Sequence, residues 1–181
     1  MKQRKIFIGI RLPEYVKKRL SEKMEKWKNL PIQWSFEENL HITLLFIGYI
    51  NDEAMIDICD KTRKAAEKTG GFDIKFEKIG FGPDEKNPRM VWLSGEANEN
   101  LRNLVENLEK ELGIAKTFRN EIRPHVTLGR IRQTVWKNLP EPPEVKEKLS
   151  ISVPANSIDV VESVLEKGKR KFITLESCPL K

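Results

Sequence analysis

Two tetrapeptides, His41-Ile-Thr-Leu44 and His125-Val-Thr-Leu128, constrain this chain more than any other feature: they hold its only two histidines and stand 84 residues apart. Self-similarity at a fixed spacing signals a repeated supersecondary unit, and the two halves match at that offset without gaps. Phe7 then falls on Val91, Ile8 on Trp92, Leu20 on Leu104, Met24 on Leu108 and Ile47 on Ile131. Each half reads the same way: an apolar run (Ile6–Ile10 or Met90–Leu93), a helical pattern, a loop, and the H-x-T-L strand. The expectation is an α+β chain built from two pseudo-symmetric β-α-β repeats, about residues 4–48 and 88–132. No low-complexity linker separates them, so they should pack as two lobes of one domain over residues 1–181.

The local signals agree with that frame. After Pro13, Val16, Leu20, Met24 and Trp27 recur at spacings of three and four, which predicts an amphipathic helix over about Glu14–Lys28. Its counterpart spans about Asn98–Leu112, with Leu101, Leu104, Val105, Leu108 and Leu112 as the stripe and Gly113 as the stop. A third helix is expected over Asp52–Lys68, capped by Asn51 or Asp52 and ended by Gly70-Gly71. Phe72–Lys78 alternates like a half-buried strand, Phe81–Pro88 is turn-rich, and Arg89–Leu93 is the next strand. Trp136–Ser150 carries Pro140, Pro142 and Pro143, and Ser157–Leu165 with Arg170–Leu175 reads as a hairpin turning at Lys167-Gly168-Lys169.

Composition removes several classes of function. No stretch approaches the roughly 18 to 20 apolar residues of a membrane helix, and the apolar run after the basic N-terminus stops at Arg11, too short for a signal-peptide core. A cytoplasmic protein without membrane contact is expected. Cys59 and Cys178 are isolated, which gives neither a disulfide framework nor a cysteine zinc site. The net charge of +6 draws polyanions, but the lysines are dispersed, so charge alone does not select nucleic acid.

The chemistry is carried by the repeated His-Thr pair. On a strand, residues i and i+2 share a face, so His41 and Thr43 project together, as do His125 and Thr127, while Ile42, Leu44, Val126 and Leu128 point to the core. A pseudo-twofold relation brings both pairs to one cleft. Two imidazoles that titrate near neutrality can divide the work of an acid and a base, as phosphodiester hydrolysis requires. The hydroxyls of Thr43 and Thr127 can donate to the non-bridging phosphate oxygens. Two histidines without a carboxylate or thiol at ligand spacing make a poor metal site, so no metal or other cofactor is expected.

At these residues the chain resembles the two-histidine phosphoesterase superfamily, specifically the RNA 2′,3′-cyclic phosphodiesterases also called 2′-5′ RNA ligases. The resemblance rests on R-K-I-F-I-G-I-R-L-P at Arg4–Pro13, E-N-L-H-I-T-L-L-F-I-G at Glu38–Gly48, R-M-V-W-L at Arg89–Leu93 and R-P-H-V-T-L-G-R at Arg123–Arg130. It implies a bilobal α+β fold in which two antiparallel sheets enclose a cleft lined by both motifs. It further implies hydrolysis of an RNA 2′,3′-cyclic phosphate end to a 2′-phosphomonoester, with His41 as proton donor to the leaving O3′ and His125 as the base toward water. Reverse 2′-5′ ligation can share the site, and RNA with a cyclic phosphate end, such as tRNA halves, is the implied partner. Arg130 is a candidate phosphate contact, although plain alternation sets it on the face opposite His125 unless a bulge intervenes. Trp34 and Phe7 are candidates for stacking on a base, with core packing as the competing use of Phe7. A monomer is expected, since the duplicated lobes supply both sides of the site. Hydrolysis of a small cyclic phosphate or of 2′-5′ oligoadenylate, and a non-catalytic RNA-end-binding module, are the rival readings.

Overall fold

A computed structural model describes residues 3–114 and 122–181. Along the chain the described residues form β1 (Arg4–Arg11), α1 (Glu14–Met24), β2 (Ile32–Trp34), β3 (His41–Ile50), α2 (Asp52–Ala66), β4 (Phe72–Gly82), β5 (Met90–Gly95) and α3 (Glu99–Leu112). There follow β6 (His125–Ile131), α4 (Gln133–Trp136), β7 (Glu147–Ala155), β8 (Ser157–Glu166) and β9 (Lys169–Pro179). The strands run in the order β7-β4-β5-β6-β3-β1-β8-β9, with β2 paired to β6, and every pairing is antiparallel. The order is a palindrome about its centre: β1-α1-β3 and β5-α3-β6 are the two expected units, placed back to back so that the two motif strands are neighbours.

The two sheets implied by the resemblance are therefore halves of one continuous sheet, whose motif strands meet at a single paired position, Ile42 with Val126, while β2 of the first repeat pairs with β6 at three more. The reason lies in two bulges. The pairing of β1 with β3 skips Leu44, and that of β5 with β6 skips Leu128, the same position in each repeat. An extra residue in one strand bends it and raises its twist. Both motif strands so turn away from each other after the threonine, and no further pairing is made.

The same registers refine the repeat. Gly9 pairs with Thr43 and Trp92 with Thr127, so the first strands correspond at an offset of 83 while the motif strands correspond at 84. A gap-free overlay thus misaligns the first strands by one residue, which flips every side chain to the wrong face. Ile8 matches Val91 in the core, and Trp92 lies on the other face. By the helices the offset is restored, with Leu20 and Leu104 fully buried and Met24 and Leu108 also buried.

The helix caps follow the sequence. Asn51 accepts the Ala54 N–H at 2.8 Å, Asn98 accepts the Leu101 N–H at 2.9 Å, and Gly113 ends α3 at φ 66°. The first helix stops at Met24 and tightens to a 3-10 turn over Glu25–Trp27. Lys167 and Gly168, at φ 49° and 75°, make the tight turn of the β8–β9 hairpin, whose twist matches its strands. Strand β7 begins inside the stretch that its prolines mark as irregular. Its Leu149, Ile151, Val153 and Ala155 are buried in alternation, and Pro154 is tolerated because β7 is the sheet edge. Among the described residues no helix is long and apolar enough to cross a membrane.

Candidate active site

The Ile42–Val126 pair buries both side chains and fixes what surrounds it. Antiparallel pairing runs His41 toward Thr127 and Thr43 toward His125, so the four polar side chains share the face opposite the core. Both rings are oriented by the backbone just ahead of them. His41 Nδ1 lies 2.7 Å from the Asn39 carbonyl, and His125 Nδ1 lies 2.9 Å from the Arg123 carbonyl. A carbonyl can only accept, so each neutral imidazole carries its proton on Nδ1 and turns a basic Nε2 toward the cleft. His41 Nε2 stands 3.0 Å from Thr43 Oγ1, which makes the hydroxyl its donor in that tautomer.

The rings sit in different boxes. His41 is flanked by Phe7 (centroids 4.7 Å apart, 31° between planes) and meets the edge of Phe172 at 4.8 Å. His125 lies almost flat on Trp92, at 4.0 Å and 22°. Burial pushes both histidines below their usual range; the carbonyl contacts oppose this in each case, and His41 is lowered further by the charge of His125.

The remaining sequence candidates separate. Arg130 lies on the face of His125, because the bulge at Leu128 resets the alternation; it pairs with Met90 and Gln33 and is exposed. Phe7 is 4% exposed, enclosed by His41, Phe46 and Phe172, which leaves no open ring face for a base. Trp34 shares the face of buried Ile32 and packs its indole against Gly129 and the core, away from Arg130. Both aromatic candidates are packing residues in this geometry.

Sequence reasoning missed Trp92, Phe172 and Asn39. The one-residue slip of the gap-free overlay assigns Trp92 to the core face. Its ring lies where a side chain on Gly82 would be, 2.4 Å from an ideal Cβ, so that glycine is needed to admit the indole. Phe172 comes from β9, far from the motif in sequence, and nothing local announces it. Beside His41 a cavity opens over the bare backbone of Gly9, bounded by Arg11, Lys17, Asn39, Phe172 and Thr174. Lys17 is buried there with Glu14 at 2.9 Å, and Arg11 binds Asp159 at 2.9 Å. Among the described residues no three His, Cys, Asp or Glu side chains gather to hold a metal ion. Both cysteines are free, and burial raises the thiol of Cys178 to about 11, which removes it as a nucleophile near neutrality.

A repeated α+β sheet with one His-Thr pair from each half on a shared face defines a two-histidine phosphoesterase architecture. The profile of the LigT-like phosphoesterases matches residues 10–92, which include the first motif. An RNA 2′,3′-cyclic phosphodiesterase of Thermotoga maritima is 31% identical over 140 residues, 75% of each chain, and one of Aquifex aeolicus is 31% identical over 147 residues, 78% of each. A crystal structure of a protein from Thermus thermophilus superimposes with a TM-score of 0.81 over 97% of both chains at 23% identity. The chain belongs to the LigT-like phosphoesterase family.

Proposed function

We propose that this protein hydrolyses the 2′,3′-cyclic phosphate at an RNA end to a 2′-phosphomonoester by metal-independent acid–base catalysis. One observation supports the reading: both imidazoles are tied through Nδ1 to a backbone carbonyl, which leaves Nε2 for chemistry, and the two His-Thr pairs share one sheet face. The curated relatives are named RNA 2′,3′-cyclic phosphodiesterases. His125 Nε2 takes a proton from the attacking water as its oxygen bonds to phosphorus; the P–O3′ bond breaks, and His41, protonated, gives its Nε2 proton to O3′. Thr43 and Thr127 donate to the non-bridging oxygens, where charge gathers in the transition state. Arg130, on the same face, adds a cation for the phosphate. The turnover leaves His125 protonated and His41 neutral, and proton exchange with solvent resets them. With an RNA 5′-hydroxyl in place of water, the same displacement with the same roles forms a 2′-5′ linkage as P–O3′ breaks; the reverse step, with the roles exchanged, cleaves that linkage back to the cyclic phosphate.

Burial favours neutral imidazoles in the free protein, so the anionic phosphodiester is what makes one imidazolium favourable there. The acid is thus charged chiefly when substrate is bound. A cytoplasmic monomer acting on RNA ends such as tRNA halves completes the proposal.

The test is turnover, with EDTA present, of a short RNA ending in a 2′,3′-cyclic phosphate by wild type, His41→Ala and His125→Ala, with 2′- and 3′-phosphate products resolved from about pH 5 to 9, the range over which imidazoles titrate. The expected result is a 2′-phosphate, a bell-shaped rate profile and a severe loss in each variant. Binding without turnover would overturn the hydrolase reading for this substrate and bring forward small cyclic phosphates or an RNA-end-binding role.

A further inference from the structure

The β8–β9 hairpin reaches the first motif twice. Phe172 presents its edge to the His41 ring, and the Arg170 carbonyl accepts a hydrogen bond of 2.9 Å from the Asn39 side chain. Asn39 in turn offers its own carbonyl to His41 Nδ1 at 2.7 Å. The tip of this hairpin is therefore two hydrogen bonds from a candidate catalytic ring. That tip carries Lys167, Lys169, Arg170 and Lys171, four exposed cations within five residues. One acid of the hairpin tip, Glu166, offsets them, at 3.5 Å from Lys171. Arg170 is held by the neutral Ser163 hydroxyl at 2.8 Å, and Lys169 lies 5.4 Å from the centre of the half-exposed Phe36 ring. Glu37 and Glu38, in the short turn between Phe36 and His41, bound the patch on that side.

We infer that this tip is a binding surface for the single-stranded RNA leading up to the cyclic phosphate, so that the enzyme selects oligonucleotides over cyclic mononucleotides. The inference rests on the proposed function and adds to it a surface for the nucleotides that precede the cyclic phosphate. A single strand offers regularly spaced phosphates and unpaired bases, and it is bound by cations that follow the backbone beside aromatic faces on which bases stack. The tip supplies both: Lys167, Lys169, Arg170 and Lys171 for phosphates, and Phe36, already capped by a cation on one side, for a base. A mononucleotide bound at the His-Thr pairs has no phosphate to extend to the tip. Because Arg170 contributes its backbone carbonyl to Asn39, its side chain can be exchanged without removing the support of His41.

The experiment compares kcat/KM for an RNA octamer with a 2′,3′-cyclic phosphate end and for a 2′,3′-cyclic mononucleotide. The proteins are wild type, Lys169→Gln/Arg170→Gln/Lys171→Gln, and a control of equal charge change on α2 and α3, Lys64→Gln/Arg102→Gln/Lys110→Gln. The expected result is that wild type prefers the octamer and that the hairpin triple reduces this preference at least tenfold, through KM, whereas the control keeps it. In parallel, anisotropy of a labelled RNA octamer across salt concentrations should show a log–log slope shallower by about 2 for the hairpin triple, three phosphate contacts at about 0.7 each for a single strand. An unchanged preference and slope in the hairpin triple, or an equal loss in the control, would overturn the inference. No turnover of either substrate by wild type would instead sink the proposed function, and the salt slope would still decide whether the tip binds RNA.

Discussion

The two halves of the site carry the same tetrapeptide in different settings. His41 is held at both ring nitrogens, by Asn39 and Thr43, and boxed by two phenyl rings that meet it tilted and edge-on. His125 has one backbone anchor and lies flat on an indole. A ring bonded at both ends is fixed in position and tautomer by directional contacts; a ring on a flat partner is fixed in plane but can slide and turn within it. An indole face also favours a cation, so under the proposed mechanism the Trp92 stack would ease the charge of a protonated His125. The duplicated motif thus carries the same side chains, and its non-equivalent neighbours give the two copies different settings.

The largest test of that comparison is removal of the rings. His41→Ala and His125→Ala should each reduce kcat/KM by about 10²- to 10⁴-fold, the range of one general acid or base. A variant that keeps activity within tenfold of wild type would break the pairing. Next come the hydroxyls: Thr43→Val and Thr127→Val should each cost up to about 10²-fold as a donor to the phosphate is lost. Thr43→Val should be the worse of the two, since Thr43 also holds His41 Nε2, and equal losses would show that this contact does not matter to turnover. Smaller effects should follow from crowding. An alanine Cβ at position 9 would stand 2.6 Å from the Ile42 carbonyl oxygen, and one at position 82 would stand 2.4 Å from the Trp92 ring. Gly9→Ala should cost the more stability, because its neighbour is backbone, and Gly82→Ala about 1 to 3 kcal/mol by thermal melting, with damage to turnover passed through Trp92 to His125.

The mildest effect is that of pH. Both imidazoles are lowered from 6.5 by burial, so the folded state binds fewer protons than the unfolded chain over the interval below 6.5. Stability should be fully present above that value and decline as pH falls through 6.5 toward the depressed folded values. Urea melts of wild type against His41→Gln/His125→Gln should show a shallower decline in the variant. NMR titration of the two rings should find both below 6.5 in the free protein and raised by inorganic phosphate; a ring unmoved by phosphate would not belong to the site.

Much of this was legible because it depends on periodicity. Leu20, Leu104 and their neighbours announce the helices, Asn51 and Asn98 their starts, and the recurring His-Thr spacing places both polar pairs on one strand face. What escaped depends on register and on contacts distant in sequence. A single residue lost between the repeats moved Trp92 from the apparent core to the face of His125, and an unseen bulge at Leu128 returned Arg130 to the face from which simple alternation had excluded it. Phe172 meets His41 because β9 follows β8, β1 and β3 across the sheet, an order that no local pattern encodes. Trp34 and Phe7 were singled out for residue type, and burial gave them other work.

The lone Ile42–Val126 pairing also says where the halves are held together. β2 stitches the first repeat to β6 over Ile32–Trp34, α2 packs on α3 with Lys68 paired to Glu111, and Lys23 and Lys26 of the first repeat reach Glu147 on β7. Like two panels laced along their borders, the halves keep their alignment through these outer stitches, and the seam between the motif strands is left to side chains. Substitutions at the lacing, outside both His-Thr motifs, should therefore be felt at that seam, where one backbone pair is all that resists a shift.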